Sequence, residues 1–293
     1  MESLHWLTDP LSFGFMVRGL QAAIMVGIIC PVIGSYMVLK GLSFFGDALS
    51  HAILPGVVLT YLFGWSLALG ALIAGLAAAF LIGVISQRGE LQEDTAIGIV
   101  FAGAFALGVA MLSTASSYAV DLTHILFGDV LGVSQSDLLV TLALGLVVLV
   151  TIALFYKEFL VLTFDPVLAL VLRLPATFLR YLLLALIALT VVTALQTVGI
   201  SLMLAMLVTP AATAQLLTRR LPAMMAVAAL LGVAGNVTGL YLSYYLNIAS
   251  GPAMVLVATV IFGLVFLFNP ERGMIWRAGR QDGTRQAAAG DPG

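Results

Sequence analysis

Long apolar stretches alternate with short polar segments along most of the chain. A helix needs about 20 apolar residues to cross the hydrocarbon core of a bilayer, and several of these stretches reach that length. The pattern therefore predicts an all-α, polytopic membrane protein with about eight transmembrane helices plus a short re-entrant or broken helix. The apolar stretches are residues 15–39, 47–63, 66–86, 95–113, 138–156, 180–197, 199–217, 222–246 and 252–269.

Two places depart from a regular series of spans. The stretch 47–63 is short and is marked by glycine and proline, so we expect irregular backbone there. The stretches 180–197 and 199–217 are joined almost directly at Gly199, and Pro210 lies inside the second. We interpret these segments as broken, tightly turned or partly re-entrant helices, which membranes tolerate only where protein or a cavity surrounds the backbone.

The composition agrees with a membrane protein and excludes several other classes. Of the 293 residues, 62% are hydrophobic and only 9% are charged, with a mean hydropathy of +1.15. A soluble domain of this length could not cover its surface with so few charges. The single cysteine, Cys30, excludes a disulfide within the chain and a cysteine metal cluster. Glu2 and Asp9, without a basic first segment, argue against a removable signal peptide.

The basic residues set the expected orientation, because cytoplasmic loops are enriched in lysine and arginine. The loop 114–137 carries Asp121, Asp129 and Asp137 but no basic residue, so we place it outside. A re-entrant 47–63 gives eight crossings with both termini and Arg18 inside and Lys40 outside, which we favour. A spanning 47–63 gives nine crossings with the N-terminus outside. The basic residues placed in the cytoplasm are Arg88, Lys157, Arg173, Arg180, Arg219, Arg220, Arg272, Arg277, Arg280 and Arg285.

The cytoplasmic segment 157–179 predicts a short helix of its own. Asp165 followed by Pro166 is a good helix start, with an acid at the N-cap and proline in the first position. Pro175 ends a helix of about two turns that is apolar on much of its surface. The residues alone favour equally an interfacial helix on the lipid headgroups and a knob that docks into a soluble partner.

Three regions follow from these patterns. Residues 1–14 form an N-terminal tail, and residues 15–270 form the transmembrane domain. Residues 271–293 are polar and small, which predicts a disordered cytoplasmic tail.

Asp47 and His51 are the strongest candidates for a binding site. They are four residues apart, so a helix places both side chains on one face. An ionisable pair inside a membrane segment is costly, and a carboxylate with an imidazole suits a divalent transition metal. Such a metal usually takes four or more ligands, so a two-fold homodimer would complete an Asp₂His₂ site. The competing interpretation is a polar pair that hydrogen-bonds helix ends near the interface.

Other polar residues are weaker candidates. His124 lies near Asp121 and Asp129 in the outer loop, where a solvated loop is the commoner explanation than a cation or protein contact. Asn236, Thr238 and Asn247 could line a path, although hydrogen bonding between helices is the commoner role. The eleven methionines are scattered, which argues against a copper(I) ladder.

The chain has no Gly-x-x-x-x-Gly-Lys-Ser/Thr phosphate loop, so we expect no ATP-binding site and no enzyme activity in this chain. Uphill transport would then take its energy from another subunit. The alternative from another class is a stand-alone carrier driven by an ion gradient, which needs intramembrane acids at matching positions in two repeats. Asp47 has no evident counterpart in the second half.

Five segments resemble the membrane permease subunits of ATP-binding-cassette importers for manganese, zinc or iron. The resemblance covers about residues 15 to 270, and the segments occur in the family's order. They are Gly-Asp-Ala-Leu-Ser-His-Ala-Ile-Leu-Pro-Gly at 46–56, Asp-Thr-Ala-Ile-Gly-Ile at 94–99, Asp-Leu-Thr-His-Ile-Leu-Phe-Gly-Asp at 121–129, Thr-Ala-Leu-Gln-Thr-Val-Gly at 193–199 and Ala-Met-Leu-Val-Thr-Pro-Ala-Ala-Thr-Ala at 205–214.

The resemblance implies two permease copies in the plasma membrane, paired with two cytoplasmic ATPases and served by an extracytoplasmic metal-binding protein. It implies that Asp47 and His51 are the gate ligands. It also implies that the ATPase contacts the coupling segment through four residues. These are Asp165, Pro166, Leu170 and Arg173.

The resemblance also bears on the metal. The stretch His-Ile-Leu-Phe-Gly at 124–128 looks more like the manganese and iron members than the zinc members. Asp and His ligands suit Mn²⁺, Fe²⁺ and Zn²⁺ alike, so zinc stays the alternative. We expect no permanently bound cofactor, only a transported ion. A chelate importer related to the vitamin B12 permeases would instead have a wide pathway without metal ligands.

Overall fold

The computed structural model describes residues 9–88, 91–113 and 130–269. Within these ranges every regular element is helical. A short 3-10 turn at Asp9–Ser12 precedes the first helix. The α-helices are α1 Gly14–Leu39, α2 Phe45–Ala52, α3 Leu54–Leu62, α4 Leu67–Arg88, α5 Glu93–Ser113, α6 Gln135–Leu154, α7 Tyr156–Phe164, α8 Pro166–Val171, α9 Ala176–Val198, α10 Ile200–Leu217, α11 Leu221–Leu246 and α12 Ser250–Phe268.

The expected fold class is confirmed. In the described part of the chain, eight unbroken helices are long and apolar enough to cross a membrane. The ninth candidate is the pair α2–α3, which together span Phe45–Leu62 and break at Ile53. Pro55 explains the break, because it has no N–H to bond the carbonyl of His51 one turn earlier.

The ends of α1 identify the two faces of the molecule. Near its start, the Arg18 side chain donates a hydrogen bond to the carbonyl of Val133, in the acidic loop predicted outside. Near its other end, the Tyr36 ring meets the ring of Phe159 edge-on at 5.8 Å, in the segment predicted to be cytoplasmic, and Lys40 lies within electrostatic reach of Glu93 and Arg180. The face with Arg180 is cytoplasmic by the distribution of basic residues. Helix α1 therefore runs from the outer face to the cytoplasmic face.

The pair α2–α3 runs back toward the outer face beside the middle of α5. The Phe44 ring meets the Phe101 ring edge-on at 6.3 Å, and further along Leu54 packs against Gly108. Helix α3 also packs against the beginning of α4, where a Cβ on Gly70 would overlap the carbonyl oxygen of Gly56 and the hydroxyl of Thr60, and the two helices join at the outer face. The broken helix therefore reaches from one face to the other.

The favoured topology of eight crossings, in which 47–63 is re-entrant, is therefore wrong. The alternative with nine crossings, in which 47–63 spans the membrane, is correct. Lys40 lies on the cytoplasmic side and Arg18 on the outer side. The 18 residues of α2–α3 supply about 27 Å of helical rise, close to the thickness of the hydrocarbon core. Length and a glycine–proline pattern cannot distinguish a broken span from a re-entrant one.

The tight turn expected between 180–197 and 199–217 is present and so is the short helix after Asp165, but Pro210 lies inside the continuous helix α10 and does not break it. Gly199 alone joins α9 to α10, with φ 80, a left-handed value that favours glycine. Asp165 caps α8 through a hydrogen bond from the Leu168 N–H at 2.9 Å, and Pro166 takes the first helical position. Both features are local backbone signals, which is why they could be read from sequence.

The core is built around α1, which packs against α9, α10 and α11. Small residues let these helices approach closely, because packing rather than hydrophobic transfer holds helices together in lipid. A Cβ on Gly34 of α1 would overlap the carbonyl oxygen of Leu207 in α10. Gly27 and Gly232 bring α1 and α11 together in the same way. Tyr36, Phe45 and Phe159 are among the largest fully buried side chains.

Some predicted features lie outside the described residues. These are the outer-loop residues Asp121, His124 and Asp129, the arginines from Arg272 onward and the tail 271–293. The boundaries of the three predicted regions stay predictions.

The Gly34 contact generates a stability test. We expect Gly34→Ala to lower the Tm of the purified protein, because the added methyl group must push α1 away from the α10 backbone, at a cost of about 1–3 kcal/mol. Gly98→Ala is the matched control, since a Cβ there meets nothing within 4 Å and alanine favours helix. Equal Tm values for the two variants would contradict the close approach.

Candidate metal-binding site

Asp47 and His51 lie on the same face of α2, as their spacing predicts. The distance between Oδ1 of Asp47 and Nε2 of His51 is 3.7 Å, longer than a good hydrogen bond. Metal–ligand bonds of about 2.0–2.2 Å hold two ligand atoms about 3–3.5 Å apart. A small side-chain rotation would therefore let both atoms bind one ion.

The pair lies near the middle of the bundle. The His51 ring contacts the rings of Phe101 and Phe105 on α5, with centroids 5.8 and 5.7 Å away. Glu93 begins α5, so these two phenylalanines lie about 12 and 18 Å along a helix of about 31 Å. The imidazole is therefore at about mid-depth in the membrane.

An aromatic wall orients His51. Phe101 and Phe105 stack on each other at 6.0 Å, and Phe44 meets Phe101 edge-on. A metal-binding histidine usually has its second ring nitrogen hydrogen-bonded. Here ring packing restricts the imidazole instead. Sequence reasoning missed both α5 phenylalanines, although their four-residue spacing places them on one helix face.

The site is open on one side. The side chains of His51 and Asp47 are 33% and 36% exposed, although the helix that carries them is largely buried. Among the described residues, no group of three or more His, Cys, Asp or Glu side chains could hold a metal ion. One chain thus presents two ligands toward its own surface, which is half of a usual coordination shell.

The predicted coupling segment forms an exposed apolar knob at the cytoplasmic end. Ala169 anchors α8 in the core, while Leu170 is 68% exposed. Arg173 follows in a left-handed conformation with φ 54, which ends the helix. The other strongly exposed apolar residues of this segment are Phe164, Val167, Leu168, Val171 and Leu172.

A charged cluster at the cytoplasmic end was not singled out from the sequence. Arg180 forms an ion pair with Glu93 and donates a hydrogen bond to Ser86 at 2.7 Å. These residues belong to α9, α5 and α4, so a single guanidinium joins three helices. No sequence spacing reveals this cluster, because Arg180 is 94 residues from Ser86 and 87 residues from Glu93 along the chain.

Several membrane proteins named for metal transport are similar to the chain over nearly its whole length. The "Manganese transport system membrane protein MntC" of Halalkalibacterium halodurans is 48% identical over 290 residues, 99% of each chain. The protein of the same name from Listeria monocytogenes is 49% identical, covering 94% of this chain and 98% of its own. A "Probable iron transport system membrane protein" of Haemophilus influenzae is 40% identical, covering 91% and 98%.

Solved structures resemble the fold. A chain of "PsaBC from Streptococcus pneumoniae in complex with Fab" has a TM-score of 0.80 and 39% identity, covering 92% of this chain and 96% of its own. An inward-facing putative metal-chelate type ABC transporter has a TM-score of 0.70 at 16% identity, covering 88% of each chain. The second likeness concerns the fold alone.

The model of the ABC 3 transport family matches residues 12–269, which is most of the chain. ATPase and substrate-binding partners are implied by this family. The chain belongs to the ABC 3 transport family and is a multi-pass plasma-membrane permease subunit of an ATP-binding-cassette importer.

Proposed function

We propose that this chain is the permease subunit of a manganese importer, with Asp47 and His51 as the ligands that the ion meets inside the membrane. The observation that carries the proposal is this pair of metal-ligand side chains at mid-depth on a broken helix. The similarity to manganese permeases over nearly the whole chain supports the choice of metal. Iron is the second candidate, because relatives about 40% identical are named for iron transport.

The ligand chemistry fits this choice without requiring it. A carboxylate and a neutral imidazole bind Mn²⁺, Fe²⁺ and Zn²⁺. No thiolate lies near the pair, since the one cysteine, Cys30, is buried in α1. Selection among these ions then belongs largely to the extracytoplasmic metal-binding protein that delivers the ion.

A second copy of the chain completes the proposed site. The Asp47 and His51 side chains are about one third exposed, so two copies related by a two-fold axis can bring four ligands together. An Asp₂His₂ set reaches the coordination number that one chain lacks. The ion passes between the protomers and does not remain as a resident cofactor.

The energy for uptake comes from the partner ATPase, which we propose docks on α8. The exposed Leu170 and its apolar neighbours offer a surface for a cleft in a soluble protein, and Asp165 holds the helix start in place. A movement of α8 also moves α9, because α9 begins at Ala176, shortly after α8 ends at Val171. No bond is made or broken in this chain. Membership of an ATP-driven family excludes the gradient-driven carrier.

The ligand assignment is tested by removing each side chain. We expect Asp47→Ala and His51→Ala each to abolish ATP-driven ⁵⁴Mn²⁺ uptake into vesicles that contain the complete transporter, because each removes two of four ligands from a dimer. Asp94→Ala is the matched control, an exposed acid on α5 outside the site. Assembly with the ATPase, measured by co-purification, stays intact in all three variants. Full uptake by Asp47→Ala and His51→Ala would overturn the assignment.

The docking surface is tested with two leucines of similar exposure. We expect Leu170→Ala to reduce uptake per ATP hydrolysed, because it removes apolar contact area from the docking helix. Leu154→Ala is the control, since Leu154 is 72% exposed on α6, outside the coupling segment, compared with 68% for Leu170. Uptake and ATP hydrolysis are measured in the same vesicles. An unchanged ratio in Leu170→Ala would return α8 to the role of a lipid anchor.

A further inference from the structure

Arg180, Glu93 and Lys40 are charged side chains at the cytoplasmic end of the bundle. Arg180 on α9 is paired with Glu93 at the start of α5, and it also holds Ser86 on α4. The side chains of Arg180 and Glu93 are one quarter and one third exposed, so the pair is partly shielded from water. The Nε of Arg180 is buried without a hydrogen-bond partner among the described residues.

Lys40 lies at the same end of the bundle, directly after α1, and is close enough to interact electrostatically with both members of this pair. It is the C-cap of α1, where burial lowers its pKa, the nearby Glu93 carboxylate raises it and the Arg180 guanidinium lowers it again. Asp94, next to Glu93, is exposed and is not among the charges that act on Lys40. Two cations and one carboxylate leave this cluster with a net positive charge.

The cluster lies between the proposed metal site and the cytoplasm. Lys40 precedes Asp47 by seven residues, in the turn that leads into α2. Glu93 begins the helix whose Phe101 and Phe105 hold His51, about 12 Å further into the membrane. An ion that leaves Asp47 and His51 toward the cytoplasm along α2 and α5 therefore approaches the positive cluster.

A net positive charge at this place opposes the passage of a divalent cation. Repulsion between charges is stronger beside a bundle and lipid than in water, because the surroundings have a low dielectric constant. Pores use the same device, where an arginine or a helix-dipole end excludes cations electrostatically. The barrier depends on the charge of the ion and not on its chemical identity.

We propose that Lys40 and Arg180, balanced by Glu93, form an electrostatic barrier that keeps divalent cations from leaking into the cytoplasm while the inner end of the transporter is closed. This inference rests on the proposed function of Asp47 and His51. Arg180 lies on α9, the helix that follows α8, so movement of α8 and α9 separates Arg180 from Glu93. The freed carboxylate then attracts the departing ion.

The test measures influx without ATP. Vesicles containing the complete permease–ATPase complex receive an inward Mn²⁺ gradient, with the membrane potential clamped, and a metal-sensitive dye inside reports entry. We expect the wild type to remain closed and Lys40→Gln to raise ATP-independent influx about tenfold or more, since it removes one of two repelling charges. Lys40→Arg keeps the charge and stays closed.

Substitutions of Arg180 and Glu93 test the same barrier, because one removes a positive charge from the cluster and the other removes a negative charge. Arg180→Gln raises the influx, and Arg180→Lys does not. Glu93→Gln makes the cluster more positive, so it slows ATP-driven uptake without a leak. If Arg180→Gln fails to assemble because it joins three helices, the two Lys40 variants decide alone, since they leave the Arg180–Glu93 pair intact.

Two results would overturn the barrier: no leak in either glutamine variant, or an equal leak in Lys40→Gln and Lys40→Arg. ATP-independent influx is measured for both Mn²⁺ and Zn²⁺. The result of this test therefore does not depend on which metal the complex imports. Wild-type uptake in Asp47→Ala would instead overturn the proposed site. The two failures are therefore distinguishable.

Discussion

The structure must hold two ionisable side chains, Asp47 and His51, at mid-depth in the membrane. A carboxylate there is costly unless something charged binds it, so the surroundings must hold the site ready while limiting its exposure. The chain does this by breaking one span at Pro55 and packing the broken helix against α4 and α5. The aromatic wall of Phe101 and Phe105 then restricts His51 without adding a further polar group.

Helix α5 connects this site to the cytoplasmic face. Its phenylalanines touch His51, and its first residue, Glu93, is tied to Arg180 on α9. Helix α9 in turn follows the exposed docking helix α8. Helices α5 and α9 thus connect the surface proposed for the ATPase to the proposed metal ligands. The ion pair between Arg180 and Glu93 is the contact between these two helices that we propose breaks during transport.

Much of this could be predicted from sequence because the signals are local. Spans follow from apolar length, the α8 cap follows from Asp165–Pro166, and the Asp47/His51 pairing follows from helical periodicity. The crossing of α2–α3 could not be predicted, since it depends on which end of the bundle Lys40 joins. The aromatic wall and the Arg180 cluster depend on contacts between distant segments, which no spacing along one chain records.

The most direct measurement is the number of Mn²⁺ ions bound per permease chain. The central claim is that each chain carries half of a metal site, so the purified permease–ATPase complex should bind one Mn²⁺ per two permease chains, and none in the Asp47→Ala or His51→Ala variant. Metal analysis after equilibrium dialysis gives this ratio. One Mn²⁺ per chain, or binding unchanged in both variants, would contradict the account.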